Sequence, residues 1–223
     1  PLPARHATMR GTSFSPNCFA LECHIDSVAR QMGLDPVEFR KQNVELASFR
    51  PLLDACAEMA GYAGYRRTEG RGLGFAICNH GGRQLGVVCA EVSVDRRTGE
   101  VTVEHLWATY DIGTVINRNT ALSNIRGAMI WGIGYALFEE VALDGHRAHV
   151  SGLEHYRVPR FSDVPPIDIE FLDNQAPGSP RGCGEMPLPP TTAAICNAVC
   201  DAIGVRIRQL PFTPERVKAA LDA

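Results

Sequence analysis

Between Asn17 and Met32 the apolar residues Leu21, Ile25, Val28 and Met32 recur at helical spacing, and Gly33 closes the run. This predicts a helix with that stripe facing inward. A second helix is expected from Asp35, with Asp35 as N-cap, Pro36 at the first position and Glu38 completing a capping box. A third is expected over Pro51 to Met59, with Leu52, Leu53, Cys56 and Met59 inward and Gly61 as its stop. Residues 1–16 read as irregular. The period then shortens to two. Phe75 to Asn79 and Leu85 to Asp95 read as strands, the latter with Val88, Ala90, Val92 and Val94 on one face. Arg96-Arg97-Thr98-Gly99 is a turn, and Glu100 to Tyr110 returns with Val101, Val103 and His105 on one face. His105, a lone histidine, is expected in a sheet-packing or surface role. A long helix interrupted by glycines is expected within Asn117 to Glu140, where Ile125, Met129, Gly132 and Ala136 suggest close packing against a sheet. Short strands are expected over Glu154 to Val158 and Ile167 to Leu172. Thr191 to Ile203 forms a further helix, with Ile195, Val199 and Ile203 inward and Gly204 beyond it, and Thr213-Pro214-Glu215 starts a short terminal helix. The expected fold class is therefore α+β, or mixed α/β, with antiparallel hairpins packed by helices. It divides into a helical segment over 1–69 and an α/β region over 70–223.

Composition narrows the class only slightly. The 223 residues are 45% hydrophobic and 21% charged, ordinary for a soluble globular protein. A net charge of −3 argues against general attraction to nucleic acid or to an acidic membrane surface. No apolar run reaches the length of a membrane span, and the stretch from Ile125 to Leu137 is broken by Gly127, Gly132 and Gly134. The Pro-Leu-Pro start carries neither a basic nor an apolar leader region and reads as a processed chain, a fragment or a piece of a larger subunit. The eight cysteines include no C-x-x-C pair, so they are expected as small core residues, not as zinc or iron–sulfur ligands. Gly70-Arg71-Gly72-Leu73-Gly74 is not a dinucleotide fingerprint, because strand residues follow it where a helix is needed. A Gly-x-Ser-x-Gly elbow is absent, which counts against a hydrolase of that type.

The strongest chemical signal lies in Arg181-Gly182-Cys183-Gly184-Glu185-Met186-Pro187-Leu188-Pro189-Pro190. Glu185 is set between glycines, which let backbone approach a ligand, and prolines, which stiffen the exit into a helix. Read locally, Glu185 is either a general base or a solvated acid on a turn. Desolvation would raise its pKa and a neighbouring helix N-terminus would lower it. Backbone N–H groups near Thr191 and Thr192 are candidates to face an anion.

Several blocks together resemble one family. Met9-Arg10-Gly11-Thr12 with Asn17 to Glu22, Gly33-Leu34-Asp35-Pro36-Val37-Glu38-Phe39-Arg40, the hairpin Val87 to Asp95 with Thr98-Gly99, Asp111-Ile112-Gly113 with Ile116-Asn117, Gly127 through Glu139-Glu140, Gly184-Glu185, and Leu210 to Glu215 are similar to the molybdopterin-binding large subunit of xanthine dehydrogenase-type molybdenum hydroxylases. The resemblance covers most of the chain and corresponds to the C-terminal portion of that subunit. No Gly-Gln-Gly block stands between Arg10-Gly11 and the hairpin, an order resembling isoquinoline 1-oxidoreductase and nicotinate dehydrogenase large subunits. Two positions depart from the pattern. The family usually has Gln just before the glycine of the long helix, where this chain has Asn124-Ile125-Arg126-Gly127, and Thr12-Ser13 stand where some members carry an aromatic, with Phe14 just beyond.

The resemblance implies the C-terminal part of a molybdenum-cofactor-binding domain. It implies hydroxylation of an electron-poor carbon, in an N-heteroaromatic ring or an aldehyde, with oxygen from water. Glu185 would be the catalytic base that accepts a proton from the metal-activated water. Arg10, Gly11, Gly182 and Gly184 would contact the cofactor, and no side chain would ligate the metal. The implied cofactor is molybdenum–molybdopterin, as the cytosine dinucleotide, with a 2Fe–2S cluster only on a partner. Implied partners are the remaining large-subunit segment, an iron–sulfur small subunit, and a flavoprotein or cytochrome. The implied location is the cytoplasm, or the periplasm and the periphery of the inner membrane. The competing reading is a non-catalytic fragment acting as a subunit-interaction domain.

Overall fold

The computed structural model describes residues 8–145, 147–148, 152, 154–172 and 179–223, so the irregular stretch expected over 1–16 lies partly outside the described residues. The elements run α1 (Phe14–Gln31), α2 (Pro36–Asn43), α3 (Phe49–Met59), β1 (Arg71–His80), β2 (Gln84–Val94), β3 (Val101–Asp111), α4 (Arg118–Leu137), β4 (Leu143–Asp144), β5 (Arg147–Ala148), β6 (Ile167–Phe171), α5 (Leu188–Ile203) and α6 (Pro214–Leu221). β1, β2 and β3 pair antiparallel, and β6 joins β3 in parallel after the α4 crossover. β4 and β5 form a separate small pair. The class is mixed α/β, with helices packed on antiparallel hairpins.

Both faces of the sheet are covered. Val88, Ala90, Val92 and Val94 lie together on one face, against residues of α1, α4 and α5. The alternate residues Val87 and Cys89, with Leu73, Phe75 and Leu85, pack on Val37, Phe49, Leu52, Leu53 and Cys56 from α2 and α3. A strand buried on both sides reads as a nearly continuous apolar run, as Leu85 to Ala90 does.

Helix α5 runs through the middle of the molecule, with all of its residues from Leu188 to Ile203 buried. The Ile195, Val199 and Ile203 stripe is inward as expected, but so is the opposite side. Small residues make this possible. A Cβ at Gly72 would lie 2.1 Å from the Ala198 carbonyl oxygen, and one at Gly74 would lie 2.1 Å from the Ala198 nitrogen. The strand-like glycine run therefore serves a strand–helix approach closer than any side chain allows. Gly132 likewise faces α5 and not the sheet expected for it, with Leu188 O only 3.0 Å from its Cβ position.

The expected inward stripe of α1 is corrected. Leu21 is 59% and Met32 61% exposed, while Cys18, Glu22, Cys23, Asp26 and Ala29 are buried. Two carboxylates stay inside because they are paired, which is the condition for burying charge. Glu22 accepts from Arg40 Nε at 2.9 Å and from the Ile77 N–H at 3.0 Å. Asp26 accepts from Arg30 and Arg206, and Arg30 also reaches Asp201 at 2.7 Å. Leu21 and Ile25 instead line an apolar groove of about 350 Å³ with Phe14, Phe39, Val44 and Ile77.

Three smaller expectations also change. Asp35 caps α2 through the Val37 and Glu38 N–H groups, but the Glu38 side chain meets Lys41, so the capping box is half made. A register shift in the β2–β3 pairing near Glu91 and Val92 breaks the shared face of Val101, Val103 and His105. His105 instead stacks on Trp107, with ring centroids 4.1 Å apart, and its Nε2 lies 2.8 Å from Asp168. Residues 154–158 form turns and irregular chain where a strand was expected, having no strand to pair with among the described residues.

Candidate functional site

Between β6 and α5 the chain from Ser179 to Pro187 passes the end of the sheet where β3 stops and β2 starts. Arg181 fastens it there. Its N–H donates to Ile112 O at 2.8 Å, its Nη1 donates to Asp111 at 3.0 Å, and its carbonyl accepts from Gln84 Nε2 at 2.6 Å. Gly182 has φ +82°, a conformation that favours glycine, and this turns the chain back toward α5. Met186 then plugs into the core at 1% exposure, above Gly86, where any Cβ would collide with Met186 and the Tyr110 ring. Glu185 is left half-buried between these two anchors.

A third anchor comes from far away in sequence. Arg10 lies in the turn before α1, where Gly11 has φ +78° and packs beside Leu188 and Pro189 at the start of α5. Its Nε donates to Gly184 O, and its Nη2 donates to Asn124 Oδ1 at 2.7 Å and to Asn124 O at 3.1 Å. Asn124 Nδ2 faces Cys183 O at 3.4 Å and Cys183 Sγ at 3.6 Å. Partial burial pulls the Arg10 guanidinium below its ordinary pKa, while the nearby Cys183 and Glu185 oppose that pull.

Of the residues singled out from sequence, Arg10, Gly184 and Glu185 therefore converge, with Gly11 one residue away. Gly182 lies toward Gln84, whose Nε2 is 3.6 Å from its Cβ position. The N-terminus of α5 does not offer the expected anion-facing amides. Leu188 N–H already turns to Glu185 O, Pro189 and Pro190 have no N–H, and Thr191 and Thr192 are buried in the fourth and fifth positions of the helix, past its unpaired first N–H groups. The site also takes in Asn124, Arg181 and Gln84, which the sequence does not single out as site residues. Asn124 falls in the stretch that departs from the family pattern, and nothing local marks the other two.

No atom lies within 4 Å of a Cβ built at Gly184, so that flank of the loop is open to close approach. Arg10 Nη1 has no hydrogen-bond partner among the described residues, leaving a cationic donor beside the open flank. Gln84 Oε1, at the root of the loop, is buried without a partner among the described residues. Among the described residues no group of three or more His, Cys, Asp or Glu side chains is placed to hold a metal ion. The open glycine flank and the Arg10 guanidinium fit a large anionic group, whereas Gln84 Oε1 is an acceptor and fits an N–H donor of the pterin kind.

The molybdopterin cofactor-binding domain family matches residues 5–165, a span that stops short of Glu185. Over 97% of its length the chain is 35% identical to one of the subunits of nicotinate dehydrogenase from Pseudomonas putida, covering 20% of that protein. Over 57% of its length it is 39% identical to the aldehyde oxidoreductase molybdenum-binding subunit PaoC of Escherichia coli K12, covering 18% of it. The chain thus spans about a fifth of the length of these relatives. Its fold matches quinoline 2-oxidoreductase from Pseudomonas putida 86 with a TM-score of 0.87 at 18% identity, covering 96% of this chain and 52% of that one. It matches the aldehyde oxidoreductase of Desulfovibrio gigas with a TM-score of 0.80 at 21% identity, covering 97% and 42%.

Proposed function

The chain belongs to the molybdopterin cofactor-binding domain family, and from that premise we propose that it supplies one wall of a molybdenum hydroxylase active site, with Glu185 as the base. The observation that carries this reading is the convergence of Arg10, Asn124 and the Gly184–Glu185 turn from three distant parts of the chain. A molybdenum cofactor held there would supply water-derived oxygen and a sink for the two electrons removed from the substrate carbon. Glu185 takes the proton released during oxygen transfer onto a carboxylate oxygen. A half-buried acid on an anchored loop suits that task, because a general base needs hydrogen-bond reach and a fixed direction. Arg10 would hold the anionic cofactor through its guanidinium, while Gly11, Gly182 and Gly184 would keep the approach clear of side chains. The names of the relatives, a nicotinate dehydrogenase, a quinoline oxidoreductase and aldehyde oxidoreductases, support an N-heteroaromatic or aldehyde substrate. The cofactor in this reading is the cytosine dinucleotide form. The partners in this reading are an iron–sulfur small subunit, whose 2Fe–2S cluster would take the electrons onward, and a flavoprotein or cytochrome.

Glu185→Gln in the complete enzyme tests the assignment. Turnover should fall by roughly 10²–10⁴-fold, with molybdenum and pterin content unchanged. Turnover within a factor of about ten of the parent, well short of a base's usual contribution, removes Glu185 from the role.

A further inference from the structure

We infer that Arg10 and Asn124 form a clamp that fixes the Gly184–Glu185 peptide and so aims the Glu185 carboxylate, an inference that rests on Glu185 being the base. Gly184 has no side chain, and no neighbour lies within 4 Å of its Cβ position. With no Cβ, Gly184 has wider φ and ψ freedom than any other residue type. Rotation about the Gly184 φ and ψ bonds would turn its carbonyl away and re-aim the Glu185 side chain that follows. Arg10 Nε holds that carbonyl, and Arg10 Nη2 is itself held by both the backbone and the side-chain oxygen of Asn124. The planar guanidinium makes both contacts at fixed spacing, which a lysine ammonium cannot do. The Asn124 amide closes the circuit from the other side, with its Nδ2 toward Cys183 O.

The clamp has a rigid base. Asn124 sits in α4, which is locked into the core by Ile125, Ala128 and Met129. The Arg10 turn is tied to the same helix a second time, through the Tyr135 hydroxyl on Met9 Sδ at 2.9 Å. The loop bearing Glu185 is thus referenced to α4, and not only to the sheet end where Arg181 and Met186 hold it. Asn124 is a positioning residue: it acts on the reaction through Arg10 and the loop.

The test compares Asn124→Ala and Asn124→Gln in the complete enzyme, reading kcat, KM and molybdenum content, with Glu185→Gln alongside. Misplacing a reacting group by about 1 Å costs on the order of 10²-fold. Asn124→Ala should therefore lower kcat by about 10- to 100-fold, with KM and metal content near those of the parent. Asn124→Gln keeps the same amide donor and acceptor on an exposed position and should recover most of the lost kcat. The clamp is overturned if Asn124→Ala keeps the parent kcat, if activity falls only in proportion to lost molybdenum, or if Gln rescues nothing. An active Glu185→Gln enzyme instead removes the base assignment itself. An inactive one beside a fully active Asn124→Ala enzyme removes the clamp alone.

Discussion

Tyr110 shows how little a residue's type says about its energetic role. It has 0% exposure, it presses on Gly86 beside Met186, and its hydroxyl has no partner among the described residues. Burial pushes its phenol well above the ordinary range. A desolvated hydroxyl without a hydrogen bond costs about 1–3 kcal/mol, so Tyr110→Phe should leave stability unchanged or raise it. Denaturant unfolding checks this, and a loss of more than about 1 kcal/mol, the typical net value of a satisfied hydrogen bond, would mean that the hydroxyl is bonded after all. The candidate base was legible at this scale, because an acid framed by glycines and prolines is a local pattern. Asn124 was not, because its role comes from an arginine 114 positions away.

At the scale of elements, the alternation of β2, the cap of α2 and the terminal glycine of α5 were readable from the chain, and the structure contains all three. The inward face of α1 was not. An apolar stripe predicts burial only if the polar stripe lacks partners, and here Arg40, Arg30 and Arg206 supply them. The glycines of β1 gave a signal whose meaning needed α5. Gly74→Ala would force a methyl to within 2.1 Å of helix backbone. Because backbone cannot rotate away as a side chain does, the cost should reach or exceed the upper part of the roughly 1–3 kcal/mol typical of overpacking. Thermal unfolding should show a clear fall in Tm for Gly74→Ala, and an unchanged Tm would mean that α5 does not sit this close. Gly127→Ala is the internal contrast, since nothing lies within 4 Å of its Cβ position.

Across the whole molecule, the sheet between two helical layers leaves little room for reactive thiols. Cys18, Cys23, Cys56, Cys78, Cys89, Cys196 and Cys200 are buried, and Cys183 alone is half-exposed. Burial pushes Cys23 up to about 12 and Cys56, Cys89 and Cys196 well above the ordinary thiol value. Because the thiolate is the reacting form, alkylation of the folded protein near neutral to mildly alkaline pH should label Cys183 first, and denaturation should expose all eight. Mass spectrometry of the labelled peptides decides it, and labelling of Cys56 or Cys196 as fast as Cys183 would contradict the packing. The sequence by itself determined the succession of helices and strands, their caps and turns, and the glycine-framed acid. Those depend on neighbours within one or two turns of chain, where periodicity and backbone preference act. Only the tertiary structure decided which face of α1 is buried, that Gly72 and Gly74 exist for α5, and that Arg10 and Asn124 meet at Gly184. Those outcomes depend on long-range pairing, which supplies a buried charge with its partner and a loop with its anchor.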